Sequence, residues 1–102
     1  MIMFYVPCSN REEALRIAKA LVKEKLTACA NILENCTSVY EWDGELKEES
    51  ECILIMKTVE SLHMEVERAI IELHSYECPC VVALKTAEVN LPFFKWVEGQ
   101  TK

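Results

Sequence analysis

The sequence predicts an α+β domain of order βαββαβ with a long central hairpin and a short C-terminal helix, and three observations carry that expectation. Residues 10–25 and 60–74 each repeat apolar side chains at helical spacing. Between them, residues 38–58 read S-V-Y-E-W-D-G-E-L-K-E-E-S-E-C-I-L-I-M-K-T, two strand-like runs that meet at Asp43 and Gly44. Short apolar runs at residues 2–6 and 80–86 supply the outer strands.

Each element has its own signals. After the first strand, Ser9 precedes Glu12 by three residues, the spacing of a capping box, so a helix is expected to begin near Asn10. Its apolar stripe reads Ala14, Leu15, Ala18, Leu21 and Val22, opposite Arg11, Arg16, Lys19, Lys23 and Lys25. The hairpin arms take residues 28–40 and 46–57. A two-residue turn at Asp43 and Gly44 would pair Trp42 with Glu45, Tyr40 with Lys47 and Ser38 with Glu49. The same register, continued inward, sets Ile32 against Ile55. Arms of this length exceed a usual strand, so the hairpin tip should project.

The second helix carries Leu62, Val66, Ala69, Ile70 and Leu73 on one stripe and Glu65, Glu67, Arg68 and Glu72 off it. Pro79 ends the linker to the last strand. Asn90 and Pro92 then read as the cap and first turn of a short helix bearing Phe93, Trp96 and Val97. This order is the split βαβ of ferredoxin-like folds, with two helices on one face of an antiparallel sheet. The other face needs a cover of its own. Ile53, Leu54, Ile55 and Met56 are apolar on both sides of their strand, as are Val81, Val82, Ala83 and Leu84, which argues for sheets packing on sheets in an oligomer.

Composition narrows the function. At 102 residues and 51% hydrophobic content, the chain reads as one domain spanning 1–102. Seventeen acidic against eleven basic residues give a formal charge of −6 with no Lys/Arg cluster, which disfavours nucleic acid and anionic membrane and favours cations. The opening M-I-M-F-Y-V-P has neither a basic flank nor a long enough apolar run for a signal peptide or membrane span, so a cytoplasmic protein is expected. Six cysteines come without paired C-x-x-C spacing, so a structural zinc site is not expected, and Cys29 and Cys52 fit as small buried hydrophobes. With only Gly44 and Gly99, and neither G-x-S-x-G nor H-E-x-x-H, an enzyme is not expected.

Taken together, A-L-R-I-A-K-A-L-V-K-E-K-L-T-A-C-A-N-I at residues 14–32, S-V-Y-E-W-D-G at 38–44, E-C-I-L-I-M-K-T at 51–58, H-S-Y-E-C-P at 74–79 and F-F-K-W at 93–96 resemble the CutA family, small cytosolic proteins linked to tolerance of divalent cations. The resemblance implies a ferredoxin-like subunit, a tightly packed homotrimer, and hairpins that extend sheets across subunit boundaries. Tyr40, Trp42, Asp43 and Gly44 would then lie at the trimer interface. Glu45 stands where the family usually has lysine, Ser75 where it usually has proline, and Phe93 where tyrosine is common, changes that alter polar groups near a shared pocket.

Several residues could carry binding. His74, Tyr76 and Glu77 lie in a loop after the second helix, where binding groups concentrate, although His74 could equally cap the helix. Glu51 and Lys57, six residues apart on one strand, point to the same face and either line the pocket with them or form ion pairs between subunits. Trp42 and Trp96 complete the candidate pocket. Cys78 and Cys80, flanking Pro79, could hold a soft ion near His74, with Cys29 a further candidate ligand; the alternative is that Cys80 simply starts a buried strand. The expected partner is the chain itself, and the expected ligand is copper or another divalent metal ion with no other cofactor. The competing reading is a small-molecule sensor or signalling module resembling the trimeric PII proteins.

Overall fold

Alternation along the first strand decides where the core lies. In the computed structural model, which describes residues 1–102, β1 (Ile2–Cys8) buries Ile2, Phe4, Val6 and Cys8 and leaves Tyr5 exposed on its other side. The buried side faces two helices, α1 (Arg11–Lys23) and α2 (His63–Leu73), and the sheet is completed by β2 (Cys29–Trp42), β3 (Glu45–Thr58) and β4 (Val82–Lys85) in the order β2-β3-β1-β4. All neighbouring strands are antiparallel, the expected βαββαβ arrangement. No helix is long and apolar enough to cross a membrane.

α1 starts one residue later than the expected capping box. The Asn10 side chain accepts the Glu13 N–H at 2.9 Å, and the Glu13 carboxylate reaches back to the Ser9 N–H and Oγ. Its buried stripe is Ala14, Ile17, Ala18 and Leu21, whereas Leu15 is half-buried and Val22 exposed. The stripe is therefore turned slightly from the one expected. α2 begins only at His63, after a 3-10 turn at Glu60–Leu62, and ends at Leu73. β4 is shorter than the 80–86 run predicted, leaving Cys80 outside it and exposed.

The hairpin turns where expected. Asp43 (φ 50°) and Gly44 (φ 78°) both occupy the left-handed region that a twisted two-residue turn requires, and Trp42, Tyr40 and Ser38 pair with Glu45, Lys47 and Glu49. The register changes farther in. A bulge between Leu33 and Cys36, with Asn35 at φ 62°, inserts a residue into β2, so that Ile32 opposes Leu54 rather than Ile55. Because a one-residue slip exchanges the faces, the bulge turns Ile32 toward the core while Cys36 shares the helix-free face with Glu51. With arms of 14 residues, the molecule measures 45 × 25 × 22 Å.

α3 (Leu91–Gln100) packs on β3 and buries Val97 completely, outside the cluster under α1 and α2. Its terminus is tied to the loop after α1 by the Lys102 N–H bond to the Lys25 carbonyl, 3.0 Å. The helix-free face still exposes Tyr5, Leu33, Val82 and Leu84.

Candidate functional site

β1 ends at Cys8, α1 begins three residues later, and the turn after α2 crosses the same end of the sheet, so chemistry from three elements meets there. The His74 ring is fixed in that crossing. Its Nε2 lies 2.8 Å from the Pro7 carbonyl oxygen, to which it can only donate, and its Nδ1 accepts the Tyr76 N–H at 3.1 Å. His74 is the C-cap residue of α2, its backbone N–H donating to the Ile70 carbonyl at 2.9 Å, but its fully buried ring is engaged by Pro7 and Tyr76 and does not line the open cavity.

Glu13 lies beneath it, also buried, with Oε2 at 3.9 Å from His74 Nδ1. That carboxylate accepts the Ser75 N–H at 2.7 Å on one oxygen and the Ser9 N–H and Oγ at 2.9 Å on the other. Burial alone would raise its pKa, yet the hydrogen bonds from Ser75 and Ser9 outweigh it and hold the group down at about 2. Cys8 completes the cluster. Burial, reinforced by the Glu13 charge, pushes its thiol up to about 12. Ligand atoms of Cys8, Glu13 and His74 all lie within 4.8 Å of one another.

On the helix-free face of the same end, a cavity of about 490 Å³ opens between the hairpin and the loop after α2. Odd-numbered residues of β3 and their partners supply one wall, Glu49 and Glu51 beside Tyr40 and Trp42. Tyr76, Glu77, Cys78 and Cys80 supply the other. Tyr76 joins the cavity to the buried cluster: its N–H bonds His74, and its hydroxyl donates to Glu51 Oε2 at 2.7 Å. Burial, followed by that Glu51 contact, raises the Tyr76 pKa.

Of the predicted pocket residues, Glu51, Tyr76, Glu77 and Trp42 therefore line one cavity. Lys57 shares the Glu51 face as alternation requires, but six strand residues separate them by about 20 Å, and its Nζ is held by Asn31 Oδ1 at 2.6 Å. Trp96 stacks on Phe93, ring centres 5.8 Å apart, and does not line the cavity.

The predicted metal ligands separate as well. Cys29 opposes Lys57 at the far end of the sheet, Cys78 and Cys80 line the cavity, and His74 converges instead with Cys8 and Glu13. Sequence reading passed over Cys8 and Glu13. The available signal was the capping box, which placed an acidic side chain beside the end of the first strand but identified Glu12 in place of Glu13.

The family model of the CutA1 divalent ion tolerance protein matches residues 2–100. Human protein CutA is 37% identical over 98 residues, which make up 96% of this chain and 55% of that protein. The chain thus spans about half the length of that relative. The structure of the divalent cation tolerance protein (Cut A1) from Thermus thermophilus superposes with a TM-score of 0.94 at 37% identity, covering 100% of both chains. The periplasmic divalent cation tolerance protein CutA from Archaeoglobus fulgidus gives a TM-score of 0.95 at 32% identity, also over 100% of both chains. The family model and both solved structures are named for divalent ion tolerance, and those names do not denote an enzyme.

Proposed function

We propose, starting from the fact that this chain belongs to the CutA1 divalent ion tolerance family, that it assembles with copies of itself and binds a copper or other divalent ion at Cys8, Glu13 and His74. The observation that carries the binding reading is the approach of a thiol, a carboxylate and an imidazole to within 4.8 Å. Thiolate and imidazole donors together suit copper or zinc better than calcium or magnesium. The residues fit such an ion in a second respect. A ligating histidine usually donates its other ring N–H to a carbonyl or carboxylate, and His74 already does so from Nε2 to Pro7, which turns Nδ1 toward Glu13. To hold the ion, Cys8 gives up its proton and Nδ1 gives up the Tyr76 N–H.

The assembly reading rests on the apolar helix-free face, and a homotrimer is the stoichiometry implied by the family resemblance. A cytoplasmic setting suits six free thiols. The test is isothermal titration with copper and with zinc, which has no redox chemistry, on the metal-free protein and on Cys8→Ser and His74→Gln. Saturable binding at one ion per chain, weakened about 100-fold or more by either substitution, is expected. Absence of binding tighter than millimolar, or binding indifferent to both substitutions, would remove the metal role.

A further inference from the structure

Two thiols face each other inside the molecule. Cys8 and Cys52 form the last pair of the antiparallel ladder between β1 and β3, and both belong to the cluster buried under the helices, so their side chains leave the sheet on the same side. No other two of the six cysteines are matched in this way: Cys29 opposes Lys57, Cys36 opposes Glu51, and Cys78 and Cys80 lie outside the strands. All six are free. Directly opposite residues hold their Cβ atoms about 4.5–5.5 Å apart, and metal–sulfur bonds of about 2.3 Å on either side of one ion span about 4.6 Å. An ion in line between the two sulfurs therefore bridges the strands without moving them.

The donors select the ion. Cys52 is not part of the convergence of Cys8, Glu13 and His74, so the four side chains do not assemble into one tetrahedral set. Across the ladder the strands offer two sulfurs and nothing else, and soft thiolates favour copper(I), whereas hard ions need oxygen donors. Cys8 is 0% exposed and Cys52 6%, so an ion arriving from solvent meets Cys52 first and passes inward to Cys8.

We propose that Cys8 and Cys52 hold a copper(I) ion between β1 and β3 as a two-coordinate pair of thiolates. Each thiol releases its proton on binding, and no electron is transferred. Cys8 is thereby shared, with Glu13 and His74 for a divalent ion and with Cys52 for copper(I), so it serves one ion at a time. Beyond that shared thiol the inference does not rest on the divalent-ion reading, and the experiment separates the two.

The test is an oxygen-free titration with copper(I) against the competing chelator bicinchoninate. The parent protein carries Cys29→Ser, Cys36→Ser, Cys78→Ser and Cys80→Ser, all at positions outside the buried core. One ion per chain is expected, with X-ray absorption at the copper edge showing two sulfur neighbours. Adding Cys52→Ala or Cys52→Ser should weaken copper(I) binding about 100-fold or more while leaving zinc binding and the far-UV circular dichroism unchanged. Copper(I) affinity that survives both Cys52 variants, or a copper edge with fewer than two sulfur neighbours, would overturn the proposal. Equal losses for zinc and copper(I) would overturn it too, because Cys52 would then act through the fold rather than as a ligand. Zinc that fails to bind the parent while copper(I) binds and depends on Cys52 would remove the divalent reading alone and support this one.

Discussion

Glu13 is buried while carrying a full charge, and its surroundings explain how. Three hydrogen bonds from Ser9 and Ser75 converge on its two oxygens, and the start of α1 supplies a favourable dipole. A folded-state pKa of about 2 against an ordinary value of 4.5 means that the unfolded chain takes up the proton first. The stabilisation is therefore fully present above pH 4.5 and is lost as the pH falls from there toward 2. At about 1.4 kcal/mol per pKa unit, it is worth roughly 3 kcal/mol at neutral pH. Glu13→Gln is accordingly expected to lower stability by roughly this amount at pH 7 and to flatten the loss of stability between pH 4.5 and 2. Urea denaturation of the metal-free protein at a series of pH values reads both effects. Equal pH slopes in the two proteins would contradict the assignment.

At the scale of elements, the hairpin shows what a sequence conveys and where it stops. The Asp43-Gly44 turn was legible because only residues tolerant of positive φ fit a tight hairpin, and that fixed the pairing as far as Cys36 and Glu51. The bulge was not legible. Glu34 and Asn35 are both exposed polar residues whose pattern reads equally well as unbroken strand, so nothing local announced the added residue that turns Ile32 inward. The same limit hid the buried cluster. Alternation placed Glu51 correctly on the helix-free face, but the joining of Cys8, Glu13 and His74 depends on how the turn after α2 docks on the end of β1, a long-range contact with no periodic signature. Asn35 offers a direct test of the bulge. A β-branched residue strains at φ 62°, so Asn35→Val should destabilise the protein by about 1–2 kcal/mol, whereas Asn35→Gly should leave it nearly unchanged. Similar losses for both variants, measured by thermal or urea unfolding, would mean that the side chain rather than the backbone conformation matters there.

For the whole molecule, the outstanding demand is the helix-free face. Tyr5, Leu33, Val82 and Leu84 are 38%, 52%, 41% and 50% exposed, more apolar side chain than a sheet face usually leaves in water. β4 and β2 are the edge strands, so another copy could reach this face or extend the sheet from either side. The chain's charge of −6 opposes association at long range, which makes apolar contact rather than ion pairing the driving term for copies of one chain. Raising the salt concentration should then preserve or tighten the assembly, since it screens the repulsion and leaves the apolar contact intact. Val82→Glu combined with Leu84→Glu places two charges on that face without touching the buried cluster under the helices, and light scattering should show the mass falling to that of a single chain while far-UV circular dichroism is retained. Val22→Glu, at an exposed position of α1 in the helix layer, is the matched control and should leave the mass unchanged. If the β4 variant keeps its assembled mass, or if high salt dissociates the wild type, the apolar face is not what joins the copies, and the contact must be sought in the charged surface of the projecting hairpin.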